Sequence, residues 1–285
     1  MSISTIGIVG AGTMGSGIAQ LAIQNEFQVV LRDIDQEILD DGVTRIRDGL
    51  ESAEAGGYLD NADAAIDHLT ATTEIDPLAD RSDLIVEAVN EEIDLKQSIF
   101  SELDELTDSD VVLGSNTSSI SITEIAAATK TPERVIGTHF FNPPVKMKLI
   151  EVITGYETSD ETVSAVEEVA DTFGYESVLV EDYPGFATSR LGVLLGMEAA
   201  RMVQEGVSSP KDIDTAMEMG YNLPVGPLKL GDHNGWDVRV EVGKYLADEF
   251  GRDVYRPPQN VKQMVRAGNY GVKTGEGFYD WEDEN

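Results

Sequence analysis

Ile3-Ser4-Thr5-Ile6-Gly7-Ile8-Val9-Gly10-Ala11-Gly12-Thr13-Met14-Gly15 passes from an apolar segment into a glycine-rich turn and then into a helical pattern. Ile3 to Val9 reads as a strand, and Met14 to Asn25 carries its apolar residues at helical spacing. Strand, Gly-x-Gly-x-x-Gly and helix in that order distinguish a dinucleotide-binding fingerprint from a chance cluster of glycines. In such a turn Gly10 permits the tight bend, Gly12 lets the backbone approach a pyrophosphate, and Gly15 lets helix and strand pack closely. The helix N-terminus adds unpaired amides and a partial positive charge. Gly10, Ala11, Gly12, Thr13, Met14 and Gly15 are therefore candidate cofactor-binding residues.

A glycine-rich turn can also merely connect two elements, so the next strand carries weight. Val29 to Arg32 reads as that strand, and Asp33 follows it, 18 residues after Gly15. A carboxylate there can accept hydrogen bonds from the adenosine ribose and would repel a 2′-phosphate, which points to NAD rather than NADP. The adjacent Arg32 pulls the other way.

Further apolar runs at Leu84 to Val89, Val111 to Leu113, Val135 to Thr138, Leu149 to Ile153 and Val178 to Val180 alternate with helical patterns such as Glu92 to Leu106 and Ser159 to Phe173. This is the rhythm of βαβ units building a parallel sheet. It stops near Asp182-Tyr183-Pro184-Gly185, after which Leu191, Leu194, Leu195, Ala199, Met202 and Val203 fall at helical intervals. Asn222 to Pro227 and Gly268 to Gly277 read as connections. The expected fold class is α/β: a Rossmann-type dinucleotide-binding domain over residues 1–183, followed by a smaller all-helical domain over 184–285.

Oxidising an alcohol with a nicotinamide releases a proton along with the hydride, so a proton acceptor is needed nearby. His139 follows Val135-Ile136-Gly137-Thr138 and should sit at the C-terminal end of a strand, where α/β sheets place their ligands. Glu151 lies 12 residues later, within reach of a strand-loop-strand return that would set its carboxylate against the imidazole. The spacing alone suits a buried structural histidine or a simple ion pair equally well. His68, in an acidic exposed stretch, and His233, in a loop or at a helix start, are not expected to be catalytic.

The chain of 285 residues has no cysteine and three histidines, so neither a thiolate site nor a metal cluster is expected. Its formal charge of -33, from 53 acidic and 20 basic residues, opposes binding to a phosphate backbone and excludes nucleic acid as an expected partner. The acidic residues run along the whole length between periodic apolar ones, which describes a solvated face on a folded protein. Their mutual repulsion is relieved by screening, and the composition suits a salt-adapted, halophilic source. The first residues lack the charged and long apolar regions of a signal peptide, and no apolar run approaches the ~18 residues that span a bilayer. A cytoplasmic protein with no membrane partner is expected.

Beyond these readings the sequence resembles the L-3-hydroxyacyl-CoA dehydrogenases, 3-hydroxybutyryl-CoA dehydrogenases included, over nearly its whole length. The resemblance rests on Gly10-Ala11-Gly12-Thr13-Met14-Gly15, Val86-Glu87-Ala88, Ser115-Asn116-Thr117-Ser118-Ser119, His139-Phe140-Phe141-Asn142-Pro143, Pro184-Gly185-Phe186 and Lys273-Thr274-Gly275-Glu276-Gly277-Phe278-Tyr279, in the family's order. It implies reversible NAD-dependent oxidation of a (S)-3-hydroxyacyl-CoA to the 3-oxoacyl-CoA, with His139 as general base and Glu151 orienting it. It further implies that Ser118 and Asn142 hold substrate and nicotinamide in register, and that Asp33, Glu91, Lys96 and Asn116 contact the cofactor. The helical domain would close the substrate cleft and pair two chains into a homodimer.

Simpler uses exist for several of these residues. Asn116 and Ser118 could cap a helix over Ser121 to Ala127, and Glu91 with Lys96 could form a solvated surface pair. Ser189 departs from the family, which usually has Asn at that place beside the thioester and hydroxyl; Ser keeps a donor and an acceptor on a shorter arm. No basic cluster for the phosphates of CoA stands out, and Lys146 and Lys148 are candidates by charge alone. A dehydrogenase of a free hydroxy acid or sugar acid, or a catalytically silent NAD-binding protein, would fit the same architecture.

Overall fold

In the computed structural model, which describes residues 3–281, the opening apolar run forms strand β1 (Thr5–Val9), and the chain continues through α1 (Thr13–Gln24), β2 (Gln28–Arg32), α2 (Gln36–Ala55), α3 (Ala62–Ile66), β3 (Leu69–Thr72), α4 (Asp76–Ala79), β4 (Leu84–Glu87), α5 (Ile93–Leu106), β5 (Val112–Ser115), α6 (Ile122–Ala126), β6 (Val135–Phe140), β7 (Leu149–Thr154), α7 (Asp160–Thr172) and β8 (Glu176–Glu181). The strands make one sheet in the order β3-β2-β1-β4-β5-β6-β7-β8. β1 pairs in parallel with both β2 and β4, so the order reverses at β1. α/β sheets bind ligands at the carboxyl ends of the strands beside such a reversal. The sheet interior is apolar because strands covered on both faces need continuous apolar runs: Ile6, Ile8, Leu31, Leu84 and Val112 lie in one buried cluster with Ile18 and Ala22 of α1.

Two features depart from a sheet of purely parallel βαβ units. β7 returns antiparallel to β6 after a short connection, with β8 parallel to β7 at the edge. β3 is a strand with no apolar run; Leu-Thr-Ala-Thr pairs with β2 at the opposite edge and is only partly buried, so it does not need one. β6 also reaches two residues further than its apolar run, taking His139 into the strand itself.

The start of β6 is fixed by Arg134, only 4% exposed. Its guanidinium donates to an Asp104 carboxylate oxygen (2.8 Å), to the Thr107 hydroxyl (2.9 Å), and to the carbonyls of Asp108 (2.6 Å) and Val111 (3.2 Å), tying the end of α5 and the entrance to β5 to the entrance to β6. Burial pushes the Asp104 carboxyl up. Hydrogen bonds from Thr131, the Lys130 N–H and Arg134 outweigh that and hold it below the usual carboxylate value.

The chain divides into two compact units between Tyr183 and Pro184. The second contains α8 (Thr188–Gln204), α9 (Pro210–Tyr221), α10 (Pro227–Asn234), α11 (Trp236–Phe250) and α12 (Gln259–Arg266). Its core gathers Ala200, Ile213, Leu228, Trp236 and Val261. Buried Asp232 accepts from the indole N–H groups of Trp236 (2.6 Å) and Trp281 (2.8 Å) and from the main-chain N–H groups of Phe278 (3.0 Å) and Tyr279 (2.9 Å), fastening the final described residues to α10. His233 is in the last turn of α10, not at a helix start, with its ring against Trp281. Gly268 to Gly277 is irregular apart from a 3-10 turn at Val272–Thr274 and isolated bridges.

Candidate functional site

The carboxyl edge of the parallel strands presents three groups in one unit: the glycine-rich turn after β1, the turn after β5, and the end of β6. At the first, Gly10 has φ +103°, and a Cβ there would stand 2.6 Å from the Ala88 carbonyl oxygen. Gly15 is required by close approach, since its Cβ would fall 1.8 Å from the Gly10 carbonyl oxygen. Gly12, the N-cap of α1, faces open space, and no side chain caps the first turn of that helix. Its leading N–H groups have no acceptor within the helix. This is the cradle a pyrophosphate needs. Asp33 accepts from the Ala11 N–H (2.8 Å) and the Asp35 N–H (3.1 Å), so the carboxylate expected at the ribose also braces the turn.

At the end of β6 the antiparallel register sets His139 directly opposite Glu151, so their side chains share a face of the sheet. The imidazole Nδ1 is 2.7 Å from Glu151 Oε2. Glu151 is fully buried and His139 is 8% exposed. A carboxylate at Nδ1 selects the tautomer with the proton on that nitrogen, which makes Nε2 the basic one, and it stabilises the imidazolium that proton uptake forms. The Phe141 ring packs against the imidazole, centroids 4.6 Å apart.

Between these two places lies a polar network. Glu91 Oε1 accepts from the Thr117 hydroxyl (2.6 Å), the Ser118 N–H (3.1 Å) and the Ser119 hydroxyl (3.2 Å), with the Ser118 hydroxyl at 3.5 Å. Its other oxygen is 3.3 Å from the Lys96 ammonium, which donates to Glu87 at 2.7 Å. Lys96 is 1% exposed, so the pair with Glu91 is not a solvated surface pair. Asn116 accepts from the Phe140 N–H (2.9 Å), linking the end of β5 to that of β6. Neither Asn116 nor Ser118 caps α6; Ser121 does, accepting from the Glu124 N–H. Glu87 is the member of the network to which the sequence reading gave no role. In the sequence it stands within the Val86-Glu87-Ala88 motif, as the carboxylate that interrupts the apolar run Leu84 to Val89.

Asn142 is exposed just beyond β6, on a cleft lined also by Thr13, Ser16, Gly17, Arg45, Pro144 and Val145. Arg45 is the cation of this cleft, held by the Ala11 carbonyl (2.7 Å) and the Ser16 hydroxyl (3.3 Å). Nothing in the pattern of α2 marked it, because it stands among charged residues of an exposed helix face. Lys146 and Lys148 are exposed in the β6–β7 connection. His68 is partly buried, with Nδ1 3.3 Å from the Phe27 carbonyl oxygen, away from this edge. Ser189 occupies the first turn of α8 in the second unit.

Comparison with known proteins extends these observations to the whole chain. Residues 5–183 match the family described as 3-hydroxyacyl-CoA dehydrogenase, NAD binding domain, and residues 185–281 match the 3-hydroxyacyl-CoA dehydrogenase C-terminal domain. A probable 3-hydroxybutyryl-CoA dehydrogenase of Deinococcus radiodurans is 42% identical across 96% of this chain and 99% of its own. The 3-hydroxybutyryl-CoA dehydrogenase of Clostridioides difficile is 40% identical across 97% and 99%. The crystal structure of (S)-3-hydroxybutyryl-CoA dehydrogenase from Ralstonia eutropha superposes with a TM-score of 0.93 at 40% identity, covering 99% of this chain and all of that one.

Proposed function

Because the chain belongs to the 3-hydroxyacyl-CoA dehydrogenase family, we propose that it catalyses the reversible NAD-dependent oxidation of short-chain (S)-3-hydroxyacyl-CoA thioesters, such as 3-hydroxybutyryl-CoA, to 3-oxoacyl-CoA. The observation that carries this reading is the His139–Glu151 pair on the same sheet edge as the dinucleotide turn. Bound NAD supplies the hydride acceptor. His139 takes the hydroxyl proton of the substrate at Nε2 while Glu151 holds Nδ1 and offsets the positive charge that develops. In the reduction the same imidazolium returns the proton. Asp33 engages the adenosine ribose, and the first turn of α1 the pyrophosphate.

Glu91, Lys96 and Asn116 are assigned to the cofactor, with Glu91 also holding the Ser118 turn, and Ser118 and Asn142 to keeping substrate and nicotinamide in register. Ser189 is a candidate contact to the thioester on the strength of its motif. The helical unit is assigned to substrate binding and self-association as a homodimer. A cytoplasmic, salt-adapted setting accords with the charge of -33 and with the absence, among the described residues, of a helix long and apolar enough to cross a membrane.

The test is NADH oxidation in molar salt with acetoacetyl-CoA and, separately, with free acetoacetate. Turnover of the thioester alone is expected, and it should fall by roughly two to four orders of magnitude in His139→Gln while NADH binding persists. Preference for the free acid would redirect the substrate assignment. A near-normal His139→Gln variant would remove the base.

A further inference from the structure

We propose that Glu87 is a positioning residue of the cofactor site, acting through Lys96 and Glu91 on the turn that carries Ser118. The inference rests on the function proposed above, which places that turn beside the nicotinamide. Glu87 is the last residue of β4, fully buried, and in register with Ser115, the last residue of β5. Both of its carboxylate oxygens are engaged: one accepts from the Val89 N–H and the Lys96 ammonium, each at 2.7 Å, and the other from the Ser115 hydroxyl at 2.7 Å. Donors on both oxygens hold the carboxylate in one orientation.

Lys96 cannot be explained as a solvated residue. A buried ammonium needs ionised partners, and it has two, Glu87 and the 38%-exposed Glu91. An ammonium is a point charge on a flexible stem with three donors, so what fixes its position is the less mobile of its partners. Here that is Glu87, rooted in the sheet, whereas Glu91 belongs to the connection between β4 and α5. Through Lys96, the sheet therefore dictates where the Glu91 carboxylate stands. Glu91 in turn accepts from Thr117, Ser118 and Ser119, so the relay ends on the turn that presents Ser118 at the ligand edge. The network does not stop at the sheet: it runs on to the 38%-exposed Glu91 and from there to a turn in which Thr117 and Ser119 are buried and Ser118 is partly exposed.

The experiment is a double-mutant cycle read by NADH fluorescence titration on the full-length chain, with melting temperatures recorded alongside. Glu87→Gln is expected to weaken NADH binding about tenfold, the loss of one well-placed charged hydrogen bond. In a Glu91→Gln background the same substitution should weaken it by less than about twofold, because the relay is already cut. If Glu87→Gln does not fold, Glu87→Gln/Lys96→Gln removes both buried charges together, and its NADH affinity should equal that of Lys96→Gln alone. Three results overturn the proposal: unchanged NADH affinity in folded Glu87→Gln, losses that multiply across the cycle, or further weakening when Glu87 is removed from Lys96→Gln. Inactivity of the parent chain toward acetoacetyl-CoA would instead count against the proposed function, a failure the binding titration does not share.

Discussion

Glu151→Gln tests the proposed chemistry with the least disturbance, because the amide keeps an acceptor oxygen on an arm of the same length. What it removes is charge. With Nδ1 and Oε2 2.7 Å apart, the charge centres of an imidazolium–carboxylate pair stand about 4 Å apart, which at an effective dielectric constant of about 20 is worth about 4 kcal/mol. A neutral hydrogen bond of about 1 kcal/mol survives in the variant, leaving a deficit of about 3 kcal/mol for a fully formed imidazolium. Solvent screening takes little from this, since Glu151 is fully buried and His139 is 8% exposed.

If proton transfer is about half complete in the transition state, the barrier rises by about 1.5 kcal/mol; if it is complete, by about 3 kcal/mol. Turnover should therefore fall between about 10-fold and about 150-fold. The assay is stopped-flow appearance of NADH from NAD and (S)-3-hydroxybutyryl-CoA, the direction in which the imidazolium forms, at saturating concentrations of both, alongside NADH affinity and the melting temperature. Affinity should stay within about twofold, because Glu151 is assigned no contact with the cofactor. A kcat within about threefold of the parent in a well-folded variant would refute the reasoning. So would a loss confined to NADH binding.

Asp33→Ser should raise the NADPH-to-NADH preference ratio and also raise the KM for NADH, since the Ala11 N–H loses its acceptor along with the ribose; a parent enzyme that already uses both cofactors equally would contradict this. Asp104→Asn leaves Arg134 buried without its charged partner and should cost about 3 kcal/mol or more in urea unfolding. The folded Asp104 carboxyl titrates below its ordinary value of 3.8, so its contribution is complete above that value and fades as pH falls through the lower folded one; the stability gap between parent and variant should shrink at acid pH, and a constant gap would count against the assignment. The charge of -33 predicts a melting temperature that rises with KCl to well above 1 M, past the range of simple screening, already ~3 Å there; a flat profile would speak against salt adaptation.

Local chemistry in the sequence was enough to mark the dinucleotide turn, because three glycines at the fingerprint spacing follow an apolar strand and the helix begins at once. The same holds for β1, β2 and β4, whose burial on both faces demands apolar runs. β3 was illegible for the converse reason: an edge strand that is only partly buried needs no such run, and Leu69 to Thr72 is defined by hydrogen bonds to β2. Arg45 escaped notice, and Glu87 stood in a motif without a role of its own, because a charged residue on an acidic chain reads as solvated until its neighbours are known.

His139 and Glu151 show where the division falls. Their residue types and 12-residue separation made a histidine–carboxylate pair conceivable, along with a structural histidine or a simple ion pair. The pairing itself required β7 to return antiparallel in one register, since a slip of a single residue would turn Glu151 to the opposite face of the sheet. The sequence by itself determined the βαβ rhythm, the turn chemistry and the charge, all of which depend on neighbours within a few positions along the chain. Only the tertiary structure decided which carboxylate meets the imidazole and which ammonium is buried between Glu87 and Glu91, because strand register and burial are set by contacts between residues far apart in the chain.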